Sequence, residues 1–447
     1  MQELTGYKGR ALGLIKKAGA SIGDKVRLTR NDESVEGILM PRVTGGDDVH
    51  IVLKLGTGYN VGVRIGDSTR IDIVGGGAKP ALSRPPKPTA VEGLPTVTIL
   101  STGGTIASRV DYRTGAVEPA LTAEDLYTFV PELASEANVR AKVLYSIFSE
   151  NLTAKHWKNI AEAVADEIRS GVSGVVIAQG TDTLGYTAAA LSFALQGTPI
   201  PIVFVAAQRS SDRPSSDAAT NLIGAVNVAA KAPFAAVVAA MHEWVSDETL
   251  LIHKGTKVRK CHTSRRDAFK SIGASPIARF HVKTKTLEML EGDYPKRRSA
   301  SGFVCNSNFD DHATLVKFYP GMDPAIIDWY VDKGYRGLIL EGTGLGHVSS
   351  TFYPGLQQAV DRGIFVGMTS QCLWGRIDMN VYSAGIDLQN IGVHPFEDML
   401  PETALVKLMW LLGQTDDQAK IAEMMCTNLA GEISARRPGG PENGKAD

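Results

Sequence analysis

Five apolar runs of strand length constrain the fold of this chain more than any other feature. They are Val97-Thr-Ile-Leu-Ser, Val172-Ser-Gly-Val-Val-Ile-Ala, Ile202-Val-Phe-Val-Ala-Ala, Ala235-Ala-Val-Val-Ala-Ala-Met and Gly337-Leu-Ile-Leu-Glu. A strand with one wet face alternates apolar and polar residues; these are apolar on both faces. Helical stretches separate them, among them Ala154 to Ser170 and Pro324 to Lys333. Strands of this kind alternating with helices predict an α/β fold, with parallel sheets covered on both sides. A break near Arg297 to Asp311 divides the region into a larger α/β unit, residues 95–300, and a smaller one, residues 301–435.

Upstream the texture changes. Lys25-Val-Arg-Leu, Val35-Glu-Gly-Ile-Leu-Met, His50-Ile-Val-Leu-Lys-Leu, Asn60-Val-Gly-Val-Arg-Ile and Thr69-Arg-Ile-Asp-Ile-Val are short and mostly alternating, with Gly, Asp and Asn between them. Such spacing predicts a small SH3- or Sm-like β-barrel over residues 1–76, with Glu3 to Ala20 as a short helix or arm ahead of it. Residues 77–94 follow Gly75-Gly-Gly-Ala-Lys-Pro and run through Arg84-Pro-Pro-Lys-Pro, a density of Gly and Pro that marks a linker. The tail, residues 436–447, has the composition of a disordered segment.

A chain of 447 residues exceeds one compact core, in keeping with this division. Its 47 basic and 48 acidic residues argue against a whole-molecule nucleic-acid coat or membrane-surface protein. No secretory leader or bilayer-length apolar run is evident, so a cytoplasmic location is expected. Cys261, Cys305, Cys372 and Cys426 form no CxxC pair and read as reduced thiols. Cys261-His262 is a poor metal chelate because adjacent residues rarely bind one ion, and no metal site is expected.

Three polar segments carry candidate chemistry. Ser101-Thr-Gly-Gly-Thr-Ile-Ala follows the first strand, where open α/β sheets bind ligands. Taken alone, it reads equally as a plain βα turn with capping threonines. Ile177-Ala-Gln-Gly-Thr-Asp-Thr-Leu ends a second strand, and its Thr181-Asp182-Thr183 cluster is also a good helix cap. Val258-Arg-Lys-Cys-His-Thr-Ser-Arg-Arg-Asp is basic and mostly reads as a solvated loop. A buried lysine beside Asp182 would be the proton acceptor that a threonine nucleophile needs.

In this order, Thr102-Gly-Gly-Thr-Ile-Ala, Gln179-Gly-Thr-Asp-Thr-Leu and Arg259-Lys-Cys-His-Thr-Ser resemble the catalytic signatures of bacterial-type L-asparaginases and their glutaminase relatives. The resemblance covers roughly residues 95 to 435. It implies a two-domain asparaginase-like unit and a threonine amidohydrolase. Carried onto this chain, it makes Thr105 the hinged nucleophile, with Thr181, Asp182 and Lys260 on the rigid side of the pocket. Ser149 matches a substrate-binding residue, and Tyr112 matches the mobile lid tyrosine, with Gly115 as its hinge. Gln179 departs from the histidine usual at that position. Gly342-Thr-Gly-Leu-Gly-His lacks GxGxxG spacing and is discounted as a dinucleotide loop. Thr369-Ser-Gln-Cys-Leu-Trp-Gly resembles a segment of cytosolic asparaginases and reads equally as a strand-end turn.

A simple asparaginase needs no β module. Joined to the linker and catalytic unit, it resembles the D-subunit family of archaeal glutamyl-tRNA(Gln) amidotransferases. That resemblance implies a glutaminase supplying ammonia to a tRNA-binding, GatE-type kinase/transamidase subunit, with a homodimer inside a heterotetramer. ATP and Mg are then expected in the partner, and no cofactor in this chain, which lacks a Walker A pattern. Lys8, Arg10, Lys16, Lys17, Lys25, Arg27 and Arg30 face only Glu3 and Asp24 in sequence, a tRNA or partner patch or a solvated face. The alternatives are a stand-alone cytosolic L-asparaginase/glutaminase, or an RNA-binding adaptor with a vestigial amidase unit.

Overall fold

A computed structural model describes residues 6–31, 33–42, 46–56, 60–75, 90–104, 108–110, 117–119, 126–127, 130–209 and 215–435. The linker and tail expectations lie largely outside these residues.

The amino-terminal module begins with helix α1 (Gly9–Ala18), the helix anticipated within residues 3–20. Ala11 and Ile15, one turn apart, are its buried contacts, and Gly19 closes it in the left-handed region at φ 68°. Five antiparallel strands follow: β1 (Lys25–Arg30), β2 (Glu33–Leu39), β3 (His50–Lys54), β4 (Asn60–Arg64) and β5 (Arg70–Gly75). They lie in the order β4-β3-β2-β1-β5. Alternation sets the faces, since Val26 and Leu28 are buried while Lys25 and Arg27 are exposed. Tyr7 ties the arm to the sheet, donating to Met40 O at 2.9 Å and accepting from Val52 N at 3.0 Å. Burial pushes its phenol up to about 12.

The larger α/β unit starts with β6 (Thr96–Ser101), the backbone hairpin β7 (Ser108–Val110) and β8 (Val117–Pro119), then β9 (Asn138–Val143). Helix α2 (Ala154–Arg169) opens on a capping box, Thr153 with His156, and buries Trp157, Ile160, Ala161, Val164 and Ile168 at helical spacing. Next come β10 (Gly174–Ala178), α3 (Leu184–Ala194), β11 (Ile202–Val205), α4 (Ala218–Lys231) and β12 (Val237–His242). The unit ends with β13 (Thr249–Lys254), β14 (Val258–Lys260), β15 (Phe269–Ser271), β16 (Ala278–His281) and β17 (Thr286–Met289). Its main sheet has the order β17-β16-β13-β12-β11-β10-β6-β9.

Strands β9, β6, β10, β11 and β12 are parallel; β6, β10, β11 and β12 are buried on both faces, as the apolar runs require, while the edge strand β9 exposes Arg140 and Lys142. Val175 and Ile177 meet α2 and α3, whereas Val176 and Ala178 meet the α4 side. The all-parallel expectation needs an amendment, because β13, β16 and β17 run antiparallel. The connections 243–248 and 282–285 are too short for the crossover that parallel pairing requires. From β6 the chain leaves to β9 on one side and returns to β10 on the other. The crevice between the carboxyl ends of β6 and β10 is therefore the sheet's topological switch point, where ligands bind in open α/β folds.

The smaller unit alternates β18 (Ala313–Lys317), α5 (Ala325–Asp332), β19 (Gly337–Gly342), α6 (Tyr353–Asp361), β20 (Phe365–Ser370), α7 (Ser383–Ile391) and β21 (His394–Pro395). Its four strands are parallel, in sequence order. Helices α8 (Pro401–Leu412) and α9 (Gln418–Cys426) follow. Helix α8 lies between this sheet and α3, so Phe193 stacks on Trp410 at 5.9 Å and one apolar core joins both units. Inside it, Lys407 and Glu432 are fully buried and paired at 2.6 Å. Lys407 also donates to the carbonyls of Met425 and Thr427, at 3.0 and 2.6 Å. At the crossing between units, Arg297 donates to the carbonyls of Ala232, Ser173 and Ala229.

Candidate active site

Two turns meet at the switch point. The first, after β6, holds Thr102, whose backbone N–H bonds Ala178 O at 2.9 Å. Gly103 and Gly104 have φ of 118° and 77°, a region that disfavours side chains. Space forbids them as well: a Cβ on Gly103 would fall 2.0 Å from Ile147 O, and one on Gly104 would fall 2.7 Å from Gly180 N. The glycines thus press the first turn onto the second. Thr105, Tyr112 and Gly115 lie outside the described residues.

The second turn, after β10, starts at Gln179, whose backbone N–H donates to Val205 O at 3.1 Å. Its side-chain Nε2 donates to Thr187 Oγ1 at 3.0 Å. Gly180 leaves room for Ser149, whose Oγ would lie 2.9 Å from any added Cβ. Ser149 is buried at the start of a short 3₁₀ turn, and its carbonyl accepts from the Thr183 hydroxyl at 2.7 Å. Ser149 and the Thr181–Thr183 turn therefore adjoin directly.

Lys260 arrives from the opposite side, on the last residue of β14. Among the described residues that strand pairs with β15 alone, Lys260 lying opposite Phe269. Its Nζ donates to Thr181 Oγ1 at 2.8 Å and to Asp182 Oδ1 at 2.7 Å. The lysine side chain is 14% exposed and the aspartate 67%. A mostly enclosed ammonium thus bridges a hydroxyl and a largely exposed carboxylate. The approach of β14 to α3 depends on Gly185, where a Cβ would meet Val258 O at 2.9 Å. Ammonium, hydroxyl and carboxylate in mutual contact are the parts that a proton relay to a threonine requires.

The basic segment is less solvated than its composition implies. Cys261, His262, Thr263 and Ser264 are exposed, but Arg265 forms a two-point pair with Asp267 at 2.9 and 2.8 Å. Arg266 bonds Asp247 at 3.0 Å and the Val245 carbonyl at 3.2 Å, and also reaches the Ser215 carbonyl. His262 Nδ1 accepts from the amides of Ser264 and Arg265 and shapes the turn. Sequence reasoning passed over Glu402, whose carboxylate lies 3.5 Å from Arg259. No local pattern links positions so far apart. Thr369-Ser-Gln-Cys forms the end of β20 and its turn, where Ser370 donates to Gly344 O at 2.7 Å.

Comparison with known proteins follows the same division of the chain. The family descriptions "Asparaginase, N-terminal" and "Glutaminase/Asparaginase C-terminal domain" match residues 96–291 and 312–425. "GatD N-terminal domain" matches residues 20–74. Among solved structures, the thermostable L-asparaginase from Thermococcus kodakarensis has a TM-score of 0.68 at 30% identity, covering 76% of this chain and 100% of its own. L-asparaginase I from Vibrio cholerae gives 0.66 at 26%, covering 76% and 99%. Similarity extends further in two curated proteins, each named as the D-subunit of glutamyl-tRNA(Gln) amidotransferase. That of Methanopyrus kandleri is 51% identical over 446 residues, covering 98% of this chain and 97% of its own. That of Pyrococcus furiosus is 50% identical over 425 residues, covering 94% and 96%. Identity near one half, carried through the β module as well as the asparaginase-like unit, places the boundary of kinship beyond the simple asparaginases, and the chain belongs to the D-subunit family of glutamyl-tRNA(Gln) amidotransferases.

Proposed function

We propose that this chain is the ammonia-releasing, glutaminase-type subunit of a tRNA-dependent amidotransferase, acting through a threonine nucleophile. The observation that carries the reading is the relay at the switch point, Lys260 between Thr181 and Asp182 at 2.8 and 2.7 Å. A threonine hydroxyl attacks an amide carbonyl only as its proton leaves. Asp182 orients the lysine, and Lys260 in its neutral form takes that proton. Thr105, next in sequence to Gly104, is the residue we assign to attack. An acyl ester forms, the C–N bond breaks, and the proton passes to the departing nitrogen, which leaves as ammonia. Water then cleaves the ester through the same relay. Backbone amides of the two glycine turns are candidate donors to the oxyanion. Ser149 and Tyr112 are assigned to hold and cover the substrate.

The relatives' name supports glutamine as donor and Glu-tRNA(Gln) as the coupled acceptor. Ammonia then passes to a tRNA-binding, ATP- and Mg-using GatE-type partner in the cytoplasm, this chain forming a homodimer within a heterotetramer. Ammonia release from glutamine and asparagine tests the reading, first with the chain alone and then with partner and Glu-tRNA(Gln). Glutamine turnover that rises on adding both is the expected result. The similarity to solved L-asparaginases keeps one competing activity in view, and strong uncoupled asparagine hydrolysis would overturn the amidotransferase reading in its favour.

A further inference from the structure

We propose that the Arg259–Glu402 ion pair is a positioning clamp on Lys260, holding the short strand β14 and its local charge in the state the proton relay requires. The inference rests on the reading of Lys260 as the relay base.

Strand β14 spans three residues and, among the described residues, pairs with β15 alone, outside the eight-stranded sheet. Alternation puts Val258 and Lys260 on one face and Arg259 on the other. Val258 is buried where α3 passes at Gly185. Lys260 makes the relay contacts. The strand is entered from Lys257, buried and paired with Asp398 at 2.8 Å, and between that anchor and Lys260 the other charged contact is Arg259, whose Nε lies 3.5 Å from Glu402 Oε1.

Glu402 is built for that contact. It occupies the first turn of α8, where the helix end favours a negative charge, and its side chain is only 9% exposed. Burial pushes its carboxyl above the usual range, and the Arg259 guanidinium is the chief opposing influence. The neighbouring titratable groups are Tyr186 from α3 and Glu341 from β19. Burial and then Glu402 raise the Tyr186 phenol, and Glu341 is itself paired with Lys317 at 2.8 Å. On the hairpin, Cys261 lies in the field of Arg259, Lys270 and Glu402. Lys260 itself faces Thr181 and Asp182. A buried carboxylate opposite one guanidinium ties α8, which packs on the smaller sheet, to the strand carrying the relay lysine. It also offsets a fixed positive charge one residue from a group that must accept a proton.

The test is Glu402→Gln in the full chain, isosteric but uncharged, with kcat, KM and the pH–rate profile of ammonia release measured. The expected result is a fall in kcat of about tenfold at unchanged KM. The acid-side inflection should move down by about half a unit, because the uncompensated guanidinium disfavours a nearby proton. Adding Arg259→Gln to Glu402→Gln should return the inflection to the wild-type position. An inflection that stays fixed in Glu402→Gln, or losses that merely compound in the double variant, would show a packing role and overturn the clamp. Should Glu402→Gln fail to fold, the half-exposed Arg259→Lys serves instead. It keeps the charge and loosens the tether, and should lower kcat about threefold at unchanged KM; an unchanged kcat refutes the proposal. Full turnover in Lys260→Ala would sink the underlying relay reading. An inactive Lys260→Ala with an unmoved Glu402→Gln profile sinks the clamp alone.

Discussion

At the scale of single residues, the site depends on side chains and on their absence in equal measure. Thr181, Asp182 and Lys260 are the groups we propose as the relay, but Gly103, Gly104, Gly180 and Gly185 let four segments approach one another closely. Thr181→Val keeps shape and removes the hydroxyl, so it should lower ammonia release by about 10³-fold with the circular-dichroism melt unchanged. Lys260→Ala should do the same, and near-normal rates in either variant would refute the assigned roles. The three residues that meet here stand in motifs visible in the sequence, since Thr-Asp after one strand and Lys in a basic segment are local patterns. Their meeting was not visible there, because Thr181 and Lys260 are brought together only by the packing of β14 against α3. Glu402 left no trace in sequence at all, since a lone glutamate after a proline looks like any helix start.

At the scale of elements, legibility followed burial. Doubly apolar strands such as β10 and β12 announced themselves, and the alternating β1 showed its wet face. The antiparallel flank β13-β16-β17 was missed because its cue is loop length rather than composition. Helix α8 was missed for another reason: its role rests on a buried charge, and Lys407 in sequence reads as a solvated residue. Lys407→Ala strands Glu432 in the core and should cost about 3–5 kcal/mol in chemical denaturation. Lys407→Met with Glu432→Gln removes both charges and should recover most of that loss. A single variant as stable as wild type would show that the pair is not desolvated in solution.

At the scale of the whole molecule, the module and the amidase unit have separate cores. Tyr7, Ala11, Ile15, Val26, Leu28 and Ile51 belong to one, and none of them joins the others. The last residues assigned to the linker are anchored on the catalytic unit, since Asn138 bonds the backbone of Val91 and Leu94. Deleting residues 1–90 should therefore leave a folded amidase whose melting temperature is close to wild type. Stimulation of glutamine hydrolysis by partner and Glu-tRNA(Gln) should be lost. A truncated chain that unfolds, or one that couples normally, would show that the module serves stability or nothing essential. The module's strands were legible from their alternation; its purpose was not, because five short strands suit many ligands.

The core shared through α3 and α8 has a consequence for how this enzyme ages and fails. Helix α3 begins just past the relay aspartate, and α8 carries Trp410 against it and Glu402 against the relay strand. Neither α/β unit can then open without disturbing the other's chemistry. Damage anywhere along that seam would silence the site before the chain visibly comes apart, so a half-unfolded molecule would not go on releasing free ammonia into the cell.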